Sequence, residues 1–149
     1  CTPAPGLIDA IHRITDAAHV AEAALSLPAS QRVCFRVADI RLRGLLSMLR
    51  SDPRVQRFAE GELRALILHD IESGDGLREV LRGYLELGGN KSALASRLHL
   101  SRPSLYAKLN RIEQILGVDL ADGESATSLH VALLILETRN AFGGAGAPL

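Results

Sequence analysis

Apolar residues recur three or four positions apart over residues 7–27, a spacing that places them on one face of a helix. The same spacing recurs in residues 39–49 and in residues 52–70. In residues 52–70, Asp52 is placed to cap the helix and Pro53 to occupy its first position. Residues 32–37 instead alternate apolar and polar side chains, which predicts a strand. The N-terminal half is thus predicted to be mainly helical, with one short strand that lacks an evident partner.

A Ser-Gly-Asp-Gly segment at residues 73–76 is the best linker in the chain, and four predicted helices follow it. The first covers residues 77–87 and the second residues 91–98, with Asn90 as its cap. The third begins after the capping residue Ser101 and runs to Leu116, where Gly117 ends it. The last eight residues, rich in Gly, Ala and Pro, are predicted to be disordered.

The second and third of these helices are joined by only three residues, His99, Leu100 and Ser101. So short a turn forces the helices to cross at a steep angle, as in a helix-turn-helix. Ala95 is predicted at the closest approach of the two helices, and His99 at a turn position with positive φ. The residues expected to pack between the helices are all apolar: Leu94, Ala95, Leu98, Leu100, Leu105, Leu109, Ile112 and Leu116.

The opposite face of the third helix is predicted to be exposed, small at its centre and basic along its flanks. Its central residues are Pro103, Ala107, Asn110 and Gln114, and its flanking residues are Arg102, Ser104, Tyr106, Lys108 and Arg111. Residues 88–117 hold five Lys or Arg against one Glu, although the whole chain of 149 residues has a formal net charge of zero. Such a face fits a DNA major groove. The alternative is the solvated face of an ordinary helix pair.

The composition and motifs of the chain argue against enzymes, metal-binding proteins and membrane proteins. Aromatic residues make up 3% of the chain and Trp is absent, so the core is expected to be aliphatic. The two cysteines show no metal-binding spacing. The five histidines are scattered, and neither a phosphate-binding loop nor a nucleophile motif is found, so we expect no enzyme activity, no cofactor and no catalytic or metal-binding residue. No apolar run approaches the length of a membrane span and no signal segment opens the chain, so we expect a cytoplasmic protein.

The stretch from Gly88 to Leu120 resembles the C-terminal helix-turn-helix of PucR/CdaR-like transcription regulators, and its second and third helices also resemble the Fis-type module. Matching elements include Gly89-Asn90, Ala95, Arg111-Ile112-Glu113 and Asp119-Leu120. The start of the third helix departs from the family pattern, so base preference is not carried over. The resemblance implies a mainly α fold: a helical bundle with a C-terminal helix-turn-helix, plus one short strand left from a preceding GGDEF-like α/β domain.

The resemblance divides the chain into four parts. They are the tail of the GGDEF-like domain or a dimerisation segment at residues 1–50, a connecting helix and linker at 51–75, the DNA-binding domain at 76–141, and a tail at 142–149. It also implies a ligand-responsive bacterial regulator that binds double-stranded DNA as a homodimer, with contacts from its N-terminal part. The small-molecule effector is expected to be sensed by a region absent from this chain.

Nine residues are predicted to contact DNA. Those placed to read base edges are Arg102, Pro103, Tyr106 and Ala107. Those placed to contact phosphate are Lys91, Ser92, Ser101, Lys108 and Arg111. A different function stays open, namely a protein-interaction or dimerisation module without DNA specificity of its own. The eight arginines between residues 32 and 64 would suit an acidic partner in that case, although such a set is more often the solvated side of helices.

Overall fold

The computed structural model of the chain describes residues 14–18, 20, 21, 24 and 37–143. Within these ranges the chain forms helices joined by short turns, and no strand occurs. The helices are α1 (Val37–Met48), α2 (Pro53–Ser73), α3 (Leu77–Glu86), α4 (Lys91–Arg97), α5 (Arg102–Leu116) and α6 (Gly123–Gly143). Residues 14–18, 20 and 21 are also helical. The predicted mainly helical fold is therefore confirmed for the described part of the chain.

Three sequence-based expectations at the ends of the chain are not confirmed. The strand predicted at residues 32–37 lies outside the described residues, apart from Val37, which begins α1. The interpretation of residues 1–50 as the tail of a GGDEF-like domain has no support in the described residues, where α1 is a helix. Helix α6 continues to Gly143 and so overlaps the first two residues of the tail predicted at residues 142–149. Residues 144–149 lie outside the described part.

The chain divides into two compact units. One comprises residues 1–56 with residues 134–149, and the other comprises residues 57–133. In the first unit, Arg43 Nη1 on α1 donates to Glu137 Oε2 at the end of α6, at 2.9 Å. The Gln56 side chain donates to the carbonyl oxygen of Arg50 at 2.8 Å, which ties the start of α2 to the turn before it. The first of these bonds connects segments that are far apart in the sequence, and the second is local.

The second unit has the aliphatic core that the composition predicts. Its largest fully buried side chains are Leu63, Leu66, Leu77, Leu81, Leu94, Leu105, Ile112 and Leu129. Burying one such side chain contributes about 1.5–3 kcal/mol, so this set supplies the main stabilising term of the unit. Within it, α3 packs against α4 and α5, and α4 packs against α5. Gly83 lets α3 approach α4 closely, since a Cβ at this position would lie 2.6 Å from Leu94 Cδ1.

The start of α3 is stabilised from the preceding helix. Gly76, immediately before α3, has a left-handed backbone (φ 67°) and no side chain that could cap the helix. The carboxylate of Asp70 on α2 takes this role, accepting hydrogen bonds from the backbone N–H groups of Leu77 and Arg78, each at 2.8 Å. Because the first N–H groups of a helix have no partner within it, these bonds anchor α3 to the end of α2.

Candidate nucleic-acid interface

The start of α4 depends on a glycine pair and an asparagine cap. Gly88 and Gly89 both have positive φ, at 58° and 80°, a region that side chains with a Cβ disfavour. Asn90 Oδ1 then accepts a hydrogen bond from Ala93 N at 3.0 Å. This confirms Asn90 as the predicted cap and fixes the direction in which Lys91 and Ser92 leave the loop.

The turn between α4 and α5 has the predicted conformation. His99 has φ 52°, so the expectation of a left-handed residue at this position is confirmed. The chain reverses through a hydrogen bond from Leu100 N to Ala95 O at 3.0 Å. Ala95 is buried, as its predicted place between the two helices requires. Helix α4 ends at Arg97, one residue before its predicted end.

Helix α5 presents the face that periodicity predicted. Ser101 caps it by accepting from Ser104 N at 3.3 Å, and Gly117 ends it with φ 68°. Leu105, Leu109 and Ile112 are buried. The residues on the opposite side are all exposed: Pro103, Ala107, Asn110 and Gln114. The inner and outer faces of α5 are thus confirmed, and the outer face carries no large side chain at its centre.

Four of the nine predicted DNA-contacting residues meet where the first turn of α4 lies beside the first two turns of α5. The Lys91 ammonium nitrogen lies 4.9 Å from the ring centroid of Tyr106, a cation–π geometry. Arg102 Nη2 lies 3.4 Å from Ser92 Oγ, within hydrogen-bond reach. All four residues are exposed. Two cations, a hydroxyl and a phenol thus form one polar surface, here called the convergent cluster.

Lys108 lies apart from the convergent cluster. It is half-buried, and its ammonium group donates to the carbonyl oxygen of Asp75 at 2.7 Å. The side chain therefore ties α5 to the loop before α3, a contact that the spacing along α5 gave no reason to expect. The other four predicted residues, Ser101, Pro103, Ala107 and Arg111, are exposed.

Two acidic residues stabilise neighbouring parts of this unit. Arg97 Nη1 on α4 donates to Glu86 Oε2 on α3 at 2.7 Å, so one of the five basic residues in this region is ion-paired within the chain. Glu113 Oε1 on α5 accepts from Leu120 N at 3.0 Å, which holds the loop that follows α5. A hydrogen bond within the chain therefore links Glu113 and Leu120, two residues of the motif that resembles the PucR/CdaR-like regulators.

Helix α6 begins with a further acidic cap. Asp122 accepts a hydrogen bond from Ser125 N at 2.8 Å, and this bond holds the pKa of the carboxyl below its usual value. In the described residues, no group of His, Cys, Asp and Glu side chains is arranged to hold a metal ion. No helix in that same part of the chain is both long and apolar enough to cross a membrane.

Comparison with known proteins agrees with this geometry. Residues 77–135, which span α3 to α5 and much of α6, match the family model of the PucR C-terminal helix-turn-helix domain. The chain is also 29% identical over 106 residues to the carbohydrate diacid regulator of Escherichia coli (strain K12). That match covers 71% of this chain but only 27% of the relative, so the chain corresponds to about a quarter of its length. No solved structure matches the chain. The resemblance expected from the sequence is confirmed for residues 77–135, which match this helix-turn-helix family model.

Proposed function

We propose that residues 77–135 bind duplex DNA, with α5 in the major groove and the start of α4 against the phosphate backbone. The convergent cluster carries this proposal, because it places two cations and a helix N-terminus beside the exposed face of α5. Major-groove recognition needs a helix whose outer face has small residues at its centre and donors at its edge. The four exposed residues along the centre of α5 and the adjacent Arg102 meet both conditions.

Each side chain has a distinct role in this proposal. Lys91 and Ser92 bind phosphate together with the N–H groups at the start of α4. Arg102 and Tyr106 lie in the first two turns of α5, from which side chains reach base edges, and Pro103 and Ala107 contact the groove floor. Ser101 and Arg111 bind phosphate on the flanks of the helix. The ammonium group of Lys108 has donors beyond the one that Asp75 accepts, and these reach a neighbouring phosphate.

The comparisons support a wider part of the proposal, that the domain belongs to a transcription regulator. We place this DNA-binding domain in a bacterial transcription regulator that responds to a small molecule, with the sensing region outside residues 1–149. Cytoplasmic location, absence of enzyme activity and absence of a cofactor belong to the same proposal. A single helix-turn-helix contacts too few base pairs to define a site, and such proteins bind as two-fold dimers to half-sites about 34–36 Å apart. The proposal therefore includes a homodimer.

The test is selection of bound sequences from a random duplex library, followed by affinity measurements on the selected site. Arg102→Ala is expected to lose about 1–3 kcal/mol at that site and little on unrelated DNA. Arg78→Ala is the matched control, because Arg78 is exposed at the start of α3 and its loss changes the charge equally. A library that yields no enriched sequence would contradict sequence-specific binding and favour the protein-interaction alternative.

A further inference from the structure

Asn110 lies in the middle of the outer face of α5, and no contact within the protein explains it. The residue is exposed, and its side-chain amide makes no hydrogen bond in the described residues. Asparagine is unfavourable inside a helix, because its short amide competes with the backbone hydrogen bonds. Asn110 is eight residues from the start of α5 and six from its end, so it caps neither terminus. A contact with another molecule would account for this residue.

The direction of Asn110 from the helix axis agrees with that of the proposed base-reading residues. At 3.6 residues per turn, successive residues are about 100° apart around the axis. Asn110 follows Pro103 by seven residues and Tyr106 by four, so it lies about 20° and about 40° from them. Ala107, three residues earlier, lies about 60° away. Asn110 therefore continues the base-reading side of α5 by one turn.

The polar residues on this side of α5 differ in whether the protein itself engages them. Arg102 Nη2 lies 3.4 Å from Ser92 Oγ, and the Tyr106 ring lies beneath the Lys91 ammonium group. Both side chains are thus in contact with α4. The Asn110 amide, in contrast, keeps its two N–H donors and its carbonyl acceptor available to another molecule.

The side-chain amide of Asn110 matches one base in a DNA major groove. It offers a donor and an acceptor side by side, and adenine presents the complementary pair, the N7 acceptor and the N6 amino donor. Guanine presents two acceptors in this groove and cytosine one donor, so either base leaves part of the amide without a partner. Thymine presents an acceptor beside a methyl group. An amide at this position therefore selects adenine.

We infer that Asn110 is a further base-reading residue, and that its amide binds the major-groove edge of an adenine through two hydrogen bonds. The inference rests on the proposed function and adds to it both a residue and the base that this residue recognises. Helix α5 rises about 1.5 Å per residue, which places Asn110 about 12 Å beyond Arg102 along the axis. Base pairs are about 3.4 Å apart, so the adenine lies within about four base pairs of the one that Arg102 contacts.

Gln114 provides a matched comparison on the same face. It is also an exposed amide without a partner in the described part of the chain, but it lies one turn nearer the end of α5. The N-terminal residues of a recognition helix contact the base edges, so this last turn lies away from them. Glutamine is also a good helix former, and its presence in α5 needs no further explanation.

Selection of duplexes from a random library with the wild-type chain, Asn110→Ala and Gln114→Ala tests the inference. The wild type is expected to enrich a site with a preferred adenine within about four base pairs of the position that Arg102→Ala relaxes. Asn110→Ala is expected to lose the preference for that adenine, about 5- to 150-fold in relative affinity, and Gln114→Ala to keep it. An adenine preference that survives Asn110→Ala, or that falls equally in Gln114→Ala, would overturn the inference.

An altered base tests the hydrogen bonds themselves. An adenine analogue with a C–H group in place of N7 keeps the amino group and the pairing with thymine, but lacks the acceptor that the amide N–H requires. In the selected site, this analogue is expected to weaken wild-type binding about two- to tenfold and to leave the binding of Asn110→Ala unchanged. An equal loss in both proteins would show that another group contacts N7, and the inference would be wrong.

Two further readouts separate this inference from folding and from the proposed function. Alanine is the better helix former, so Asn110→Ala is expected to melt no lower than the wild type. A steep fall in its melting temperature would show that the amide supports the fold, which overturns the inference. A library without an enriched sequence contradicts the proposed function and this inference together. An enriched site that depends on Arg102 but not on Asn110 contradicts the inference alone.

Discussion

The Lys91 ammonium group lies over the Tyr106 ring, 4.9 Å from its centroid, and this contact joins the first turn of α4 to α5. A lysine on a flexible stem is otherwise free to sample many rotamers. The ring restricts Lys91 to the side of the helix pair where α5 is exposed. Tyr106 thus has two proposed roles, to hold a phosphate-binding cation and to contact a base edge.

Two substitutions of Tyr106 separate these roles. Tyr106→Phe keeps the ring and is expected to preserve affinity for unrelated DNA, whereas Tyr106→Ala removes the cation–π contact. An exposed contact of this type is worth about 0.5–1 kcal/mol, which corresponds to roughly two- to fivefold in affinity. Anisotropy titrations on selected and unrelated duplexes measure both effects. Equal affinity of the Ala and Phe variants for unrelated DNA would show that the ring does not position Lys91.

The two lysines of the interface are expected to differ. Lys91→Ala should reduce the dependence of log K on log salt by about one unit, because one phosphate contact is lost. Lys108→Ala should change this slope less, since its ammonium group already donates to the Asp75 carbonyl. Loss of that bond should instead lower the free energy of unfolding by about 0.5–1.5 kcal/mol. Salt titrations of DNA binding and urea unfolding curves are measured for both variants. Identical salt slopes for Lys91→Ala and Lys108→Ala would show that Lys108 makes an equal phosphate contact.

Ala107 tests the outer face of α5. Ala107→Leu is expected to abolish site-specific binding while leaving the melting temperature unchanged, because Ala107 is exposed opposite the buried Leu105 and Leu109. Leu105→Ala is the contrasting variant. It should cost about 2–5 kcal/mol of stability, as expected for a fully buried leucine. A steep fall in the melting temperature of Ala107→Leu would mean that its side chain packs inside the protein.

His99 tests the backbone of the turn. With φ at 52°, the position tolerates Gly or Asn, and a β-branched residue is strained there. His99→Gly is expected to keep both fold and DNA affinity, whereas His99→Val should lose about 1–3 kcal/mol of stability. Thermal melts of both variants and the wild type provide the comparison. A large loss of DNA affinity in the stable His99→Gly variant would indicate a direct role for the imidazole.

Ionisation of the Asp52 carboxyl makes the stability of the protein depend on pH. Its hydrogen bond to the Arg54 guanidinium, followed by that to the Arg54 backbone N–H, lowers the pKa of the Asp52 carboxyl from 3.8 to about 2. Because the folded state favours the ionised form, this contribution to stability is complete above about pH 4 and is lost as the pH falls toward 2. Asp52→Ala is expected to be less stable than the wild type at pH 7 and to converge with it near pH 2. A constant difference between their melting temperatures across this range would contradict the assignment.

Local rules along the sequence determined much of the second unit, residues 57–133. The spacing of leucines assigned the inner and outer faces of α5, and short polar side chains marked the caps at Asn90 and Ser101. The three-residue turn predicted a left-handed residue at His99, which the structure has. Each of these features depends on residues within a few positions of one another, where helix geometry and backbone sterics are sufficient.

Tertiary structure decided the features that join distant positions. The Asp70 carboxylate caps α3 from another helix, and Lys108 donates to a carbonyl in the loop before α3. Neither bond follows from spacing, because the three-dimensional path of the chain brings these partners together. The exposure of Phe58 and Leu68 on α2 was decided in the same way. Periodicity identifies apolar rows on a helix, but only the packing of Leu63 and Leu66 into the core shows which side of α2 stays exposed.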